Sequence, residues 1–200
     1  MKKNIMKDNR GFSLLELIVA VLILGIISAV AITSFRTVFN ARSEAAAEVA
    51  ASVLKQTRSK TMALTNDSNT ETYAKFYLSG SNYYVDLVRK TTTVPDDPSG
   101  TPSTSTEVLV SKKLGNDGLT LTFRNHSSVA VKETVTSAND VKVYFTRATG
   151  GLKKIVGSST YDFSDPTDPT TVIDELFIEG SGEDRTIIMV PATGRCFNKE

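Results

Sequence analysis

The feature that most constrains this chain is an apolar run near its start. From Leu17 to Phe35 nineteen consecutive residues carry no charge, and from Phe12 to Phe35 Glu16 alone interrupts twenty-four. At about 1.5 Å of rise per residue the longer stretch makes a helix of roughly 36 Å, enough to cross a hydrocarbon layer of about 30 Å. Before it stand Lys2, Lys3, Lys7 and Arg10 against Asp8, a net +3, which by the positive-inside rule holds this end on the cytoplasmic side.

Three fates fit such a segment. It is a secretory signal cut after Ala29-Val30-Ala31, an uncleaved single-pass anchor, or a helix that stays with the mature chain after a cut on its other side, behind Gly11. Glu16 helps to choose among them. A carboxylate at the bilayer centre costs about 2.5–3.5 kcal/mol even on lenient insertion scales, and neither a disposable signal nor a plain anchor gives it a partner. A cut behind Gly11 creates a new amine at Phe12, and the Phe12 ammonium of a neighbouring copy could pair with Glu16 in low dielectric, although desolvation takes back part of the gain. Assembly then removes the isolated-charge penalty.

The sequence after Phe35 continues as helix. Arg36 to Lys55 is free of proline and glycine and rich in alanine, with apolar positions at Ala45, Val49 and Val53 and Ala46, Ala50 and Leu54 beside them. One helix from Phe12 to about Leu64, roughly 80 Å long, is expected, its second half amphipathic and packed on the chain's own domain.

The stretch from Gly11 to Phe35, "GFSLLELIVAVLILGIISAVAITSF", resembles the class III signal and amino-terminal helix of type IV prepilins and type II secretion pseudopilins. The resemblance implies removal of residues 1–11 by a prepilin peptidase cutting between Gly11 and Phe12, N-methylation of Phe12, and use of Glu16 in assembly. Methylation keeps the charge of the amine, so the pairing survives it. Many type IV pilins carry a proline where this chain has Thr33, so a kink here needs another cause; Gly25 is the soft point, costing roughly 1 kcal/mol relative to alanine.

From about Glu71 the pattern changes to short β-like runs. Strands are expected at Thr72–Leu78, Tyr83–Lys90, Glu107–Lys112, Leu119–Arg124, Val129–Val135, Val141–Arg147, Leu152–Val156, Glu175–Glu179 and Arg185–Val190. Leu119, Leu121 and Phe123, and likewise Val141, Val143 and Phe145, alternate so as to face one side, and Thr149-Gly150-Gly151 reads as a hairpin turn. Two segments read as loops: residues 91–106, with nine Ser/Thr and three prolines, and residues 158–171 with Asp165-Pro166 and Asp168-Pro169. In pilin-like proteins such insertions tend to be exposed, a place for partner specificity or simply solvated spacers.

The fold class expected is therefore α+β: a long amino-terminal α-helix, half transmembrane and half amphipathic, packed against a β-rich, sandwich-like carboxyl-terminal head. The domains run 1–11 (leader), 12–35 (transmembrane and assembly helix), 36–66 (amphipathic half) and 67–200 (head). The end, "RTIIMVPATGRCF", resembles the last strand and turn of H-type minor pseudopilins and FimT-like minor pilins. Some of the latter bind DNA near this end, and Arg185, Arg195 and Lys199 keep DNA as a minor candidate partner; scattered cations more commonly make a solvated edge.

Little supports catalysis. The formal net charge is +1, which gives no bulk argument for nucleic acid. One cysteine, Cys196, excludes an internal disulfide and a multi-cysteine metal site, and one histidine, His126, leaves no zinc cluster. His126 reads as a turn residue, Cys196 as a small residue near the terminus with an intersubunit bridge as a lesser option. Asp96, Asp97, Asp165, Asp168 and Asp174 lack an EF-hand pattern and read as turn formers. The acceptor tripeptides at Asn66 and Asn125 carry little weight.

No enzyme, cofactor or metal is expected. The sequence reads as a filament subunit, minor pilin or pseudopilin, whose partners are the membrane, other pilin subunits, the prepilin peptidase and an assembly platform. It would sit single-pass with a cytoplasmic start and an extracytoplasmic head, then in a surface filament or pseudopilus. The alternative is a secreted or tethered binding domain cut near Ala31.

Overall fold

The computed structural model describes residues 14–64, 69–95, 101–116, 118–125, 131–163, 173–180 and 183–199. The chain divides into two units, Met1–Val38 and Phe39–Glu200. Helix α1 covers Leu14–Ala63. It opens with Glu16 in its first turn and closes with Lys60 in its last, charges that complement the helix dipole at both ends.

The second unit contains the remainder of α1 and eleven strands in two sheets. Strands β1 (Thr70–Ser79), β2 (Asn82–Thr93), β3 (Ser103–Asn116), β6 (Val141–Phe145), β7 (Leu152–Val156) and β8 (Thr160–Asp162) form one sheet in the order β3-β2-β1-β6-β7-β8. Strands β4 (Thr120–Arg124), β5 (Lys132–Thr134), β9 (Glu175–Glu179), β10 (Arg185–Met189) and β11 (Cys196–Lys199) form the other, β11-β10-β9-β4-β5. All neighbours are antiparallel. The α+β expectation, with a β-rich head of two sheets, is met.

The period-2 pattern explains the core. Ala74 and Phe76 of β1 face inward opposite Val143 and Val141 of β6, and Leu121 and Phe123 of β4 lie beside Ile178 and Leu176 of β9; all are buried. The two sheets meet where the Phe76 and Phe123 rings stand edge to face, 5.1 Å between centroids. From α1, Ala46, Ala47, Ala50, Ala51, Val53 and Leu54 join the same cluster. This corrects the helical stripe: Ala45 is exposed and Val49 half-buried, so the inward face is centred one residue further on. Small residues there let the helix axis approach the sheets closely.

Polar groups fasten helix to head. The Thr61 and Thr72 hydroxyls lie 2.5 Å apart in the interior, and Ser43 Oγ donates to the Glu183 carbonyl at 2.8 Å. Arg58 Nε reaches two turns at once, donating to the Gly150 carbonyl (3.2 Å) and the Thr193 carbonyl (2.8 Å). Gly150 and Gly194 both adopt positive φ, 68° and 62°, and a side chain on Gly194 would collide with the Gly150 carbonyl oxygen. The glycines thus allow the β6–β7 and β10–β11 turns, one from each sheet, to touch beneath Arg58. The hairpin read at Thr149-Gly150-Gly151 is present within the longer connection from Thr146 to Gly151, closed by Thr146 N–H donating to the Gly151 carbonyl at 2.7 Å.

Three expectations need correction. Residues 91–106 are not simply a loop: Thr91, Thr92 and Thr93 pair with Ser105, Thr104 and Ser103, so β2 and β3 extend into the Ser/Thr-rich stretch, and only residues 96–100 lie outside the described ones. Within 158–171, residues Thr160–Asp162 form β8 on the sheet edge, while 164–171 lie outside the described residues. Strand β11 was not expected at all; it pairs with β10 from Met189↔Cys196 to Thr186↔Lys199. Smaller differences are the ends of β6 at Phe145 and β10 at Met189, and β5 at Lys132–Thr134, the first residues of the expected Val129–Val135 run lying outside the described ones.

Glu133 closes the sandwich at one corner. It sits on β5, the edge of one sheet, and is 3% exposed. Its carboxylate accepts from Ser158 N–H (3.1 Å) and Oγ–H (2.7 Å), Ser159 N–H (2.9 Å), Tyr161 O–H (3.2 Å) and Asn139 Nδ2–H (3.0 Å), most of them from the β7–β8 turn of the other sheet. Burial pushes its carboxyl up, but the hydrogen bonds from Ser158, Asn139 and the Ser159 and Ser158 amides outweigh it and hold the group below its ordinary value. A carboxyl lowered on folding stabilises the fold in full above the unfolded value, and that contribution disappears as pH falls through the folded value. Glu133→Gln is expected to cost about 2 kcal/mol at neutral pH, since charged hydrogen bonds are lost with their donors still in place. In denaturant titrations the gap between wild type and variant narrows as pH falls below the ordinary carboxyl range and through the lowered folded value.

Candidate functional site at the amino-terminal helix

The first unit contains the residues that the sequence singles out. Glu16 lies in the first turn of α1 and is exposed; Gly11 and Phe12 lie outside the described residues. Leu14–Ala31 is apolar enough to cross a membrane, with mean hydropathy 2.8 and none of it buried. Leu14, Leu15, Leu17, Ile18, Val19, Val21 and Leu22 are all exposed, so apolar side chains are presented on every side of the helix. A helix apolar all round suits lipid or the interior of a bundle, not water.

The backbone and polar atoms of this stretch suit the same surroundings. The helix continues without a break through Gly25 and Thr33, as expected where no proline removes a donor. Ser28, the uncharged polar residue inside the window, donates its hydroxyl to the Leu24 carbonyl at 2.7 Å, so it enters a dry medium already bonded. Around Gly25 no atom lies within 4 Å of the position a Cβ would take. Its lack of a side chain serves no contact within the chain. The one acidic group in this helical surface is Glu16, which makes it the chemical feature a neighbour would recognise.

The other candidate residues are scattered over the head. Arg185 is committed to acidic neighbours, 3.6 Å from Glu44 and 3.3 Å from Glu183. Arg195 lies in the β10–β11 connection and, with Lys55 and Arg58, lines a shallow groove beside Phe197; Lys199 is exposed at the end of β11. The three cations expected as a possible DNA contact are thus not equivalent, since Arg185 already has partners. Cys196 is buried, donates to the Gly194 carbonyl at 3.5 Å, and burial pushes its thiol up to about 11. A protonated, covered thiol is a poor candidate for an intersubunit bridge. Asp174 follows residues 164–172, outside the described ones together with His126, Asp96, Asp97, Asp165, Asp168 and Asn66; Asn125 is buried.

Sequence reading missed two groups of functional weight to the fold, Arg58 at the paired turns and Glu133 at the sheet corner. Nothing local marks either, because their partners lie 92 and 25 residues away.

A family model described as the prokaryotic N-terminal methylation motif matches residues 6–32. That span includes Gly11, Phe12 and Glu16, the residues read above as cleavage site, modified amine and assembly carboxylate. The amino-terminal segment thus carries a prokaryotic methylation motif of the class III signal type, which supports a type IV prepilin or pseudopilin, and it leads a helix long and apolar enough to cross a membrane. No curated protein and no solved structure matches the chain, so the head's resemblance to H-type pseudopilins and FimT-like pilins gains nothing from either comparison.

Proposed function

We propose that this protein is a structural subunit, a minor pilin or pseudopilin, of a type IV pilus or type II secretion-like filament, and that it is not an enzyme and needs no cofactor. The observation that carries the reading is an apolar helix exposed on all sides, with one carboxylate in its first turn, inside a methylation motif. The membrane holds the chain with its start in the cytoplasm and its head outside. The prepilin peptidase cuts between Gly11 and Phe12, which removes a net +3 from the formal +1 and leaves a side-chain charge of −2. The basic end that fixed the helix in the bilayer is then gone.

The assembly platform can now raise the helix from lipid into a bundle of similar helices. Van der Waals packing replaces lipid contact there, and apolar surface is never given up to water. Glu16 of the entering subunit meets the methylated Phe12 amine of its neighbour. The pair neutralises a charge that each partner would otherwise carry alone in low dielectric.

The test is to shear surface filaments from cells producing the full chain, and separately to cross-link their membranes, probing both for the protein. Recovery in filaments or in cross-linked multimers with other pilin-like subunits is the expected result. Recovery solely as solitary membrane copies would overturn the proposal.

A further inference from the structure

The groove between α1 and the last strand is cationic, has an apolar wall and lies along an open backbone edge. Lys55 and Arg58 of α1 line one side of it and Gly194, Arg195, Cys196 and Phe197 the other, around a volume of about 330 Å³ with no acidic residue in the lining. Arg58 is occupied with the two turn carbonyls. Lys55, Arg195 and, further along β11, Lys199 make no ion pair among the described residues. Phe197 is 47% exposed, whereas Phe76, Phe123, Phe145, Phe163 and Phe177 are buried or half-buried. Three free cations thus surround an uncovered ring.

The backbone supplies a second argument. Strand β11 is the outermost strand of its sheet, and Val190 N–H donates to the Arg195 carbonyl at 2.9 Å, so the Arg195 backbone is turned toward β10. Direction alternates along an antiparallel pair. Phe197 and Lys199 therefore also turn their backbone groups to β10, while Cys196 and Asn198 present N–H and C=O to the open side, about 6.8 Å apart. Side chains alternate between the two faces in the same way. Cys196 packs into the core cluster with α1, near enough to Lys55 and Arg58 for their charges to act on its thiol, and Arg195, Phe197 and Lys199 share the outer face. Cations on a sheet edge deter a neutral or basic strand from pairing there. They leave an acidic one favoured.

We propose that the open edge of β11 takes an extended acidic segment of another polypeptide as an added strand. Every strand pair of both sheets is antiparallel, and the added one continues that pattern. Its backbone pairs with Cys196 and Asn198, as in other cases of strand addition. On its outer face, carboxylates meet Arg195 and Lys199 and an apolar side chain between them covers Phe197; on its inner face a carboxylate lies toward Lys55. Charge complementarity selects the acid, and the two free backbone groups select a peptide over nucleic acid, which has no ladder to offer them. Binding of this kind does not require filament assembly, so failure to bind and absence from filaments are separable results.

The test is fluorescence anisotropy of a labelled peptide, Glu-Thr-Phe-Glu-Glu, whose residues in antiparallel register run from opposite Lys199 to opposite Arg195. The full chain is titrated into it in detergent micelles. Saturable binding is expected, about tenfold weaker in Arg195→Glu or in Lys55→Glu, and lost when the peptide is N-methylated at its second and fourth residues, which pair with Asn198 and Cys196. Both substituted side chains are exposed, so both variants should melt as the wild type does. The charge-swapped peptide Lys-Thr-Phe-Lys-Lys should pass over the wild type and bind the Lys55→Glu, Arg195→Glu double variant. Absence of saturable binding, or undiminished binding of the N-methylated peptide, would overturn the proposal. So would binding of a short DNA oligonucleotide in place of the peptide, or self-association of the chain alone that Arg195→Glu abolishes, which would give the groove to a second copy.

Discussion

Glu16→Ala is expected to insert into the membrane and be cut behind Gly11 like the wild type, yet enter filaments at about one hundredth of the wild-type level or less. Insertion should if anything improve, because a charge costing about 2.5–3.5 kcal/mol at the bilayer centre is gone. The cut site and the apolar run from Leu17 are untouched. On the proposed pairing, assembly loses a contact whose breakage leaves the neighbour's Phe12 ammonium alone in low dielectric, a cost of about 3–5 kcal/mol, and each 1.4 kcal/mol is roughly tenfold. Immunoblots of membrane and sheared fractions read both quantities from one culture. Glu16→Gln separates charge from size: it retains the shape and hydrogen-bonding capacity but should assemble almost as poorly as alanine.

Phe123→Ala is expected to destabilise the head by about 3–5 kcal/mol, the range for truncating a fully buried aromatic, and to lower its melting temperature by about 10 °C. Phe123 is completely buried, and its ring is the edge-to-face partner of Phe76 across the two sheets. The lost volume lies between layers rather than at a margin, so neighbouring side chains have little room to close the gap. Thermal melting followed by circular dichroism measures it, and Phe123→Leu, which leaves a smaller void, should recover a large part of the loss.

The two residues differ in how readable they were. Glu16 stands out in the sequence because its setting is local: a carboxylate in an apolar run, four residues after Phe12 and five after Gly11. The helix was legible for a similar reason, since forty residues after Gly25 hold neither proline nor glycine and its end at Ala63 falls one residue before the expected Leu64. Strands β4 and β6 were legible because one face is buried, and burial imposes alternation on Leu119 to Phe123 and Val141 to Phe145.

Where no face is buried, the signal vanishes. The outer half of β3, and β8 and β11, are largely exposed; they are held by backbone hydrogen bonds to a neighbour, which any side chain can accompany. Composition therefore pointed to loop over 91–106, whereas pairing with β2 made it strand. Sheet order escaped for a different reason. The chain visits one sheet, then the other, twice each, and the joins β1–β6 and β4–β9 link strands far apart in sequence. Glu133 shows the same limit in a single residue: it resembles any surface glutamate until the Ser158–Ser159 turn is placed against it.

The central claim is that the apolar helix stays with the mature protein and starts at an amine beside Glu16. Amino-terminal sequencing with intact mass of the exported chain tests it most directly. The account predicts a chain beginning at a methylated Phe12 with its helix intact; a chain beginning near Ile32, its apolar helix discarded, would contradict it.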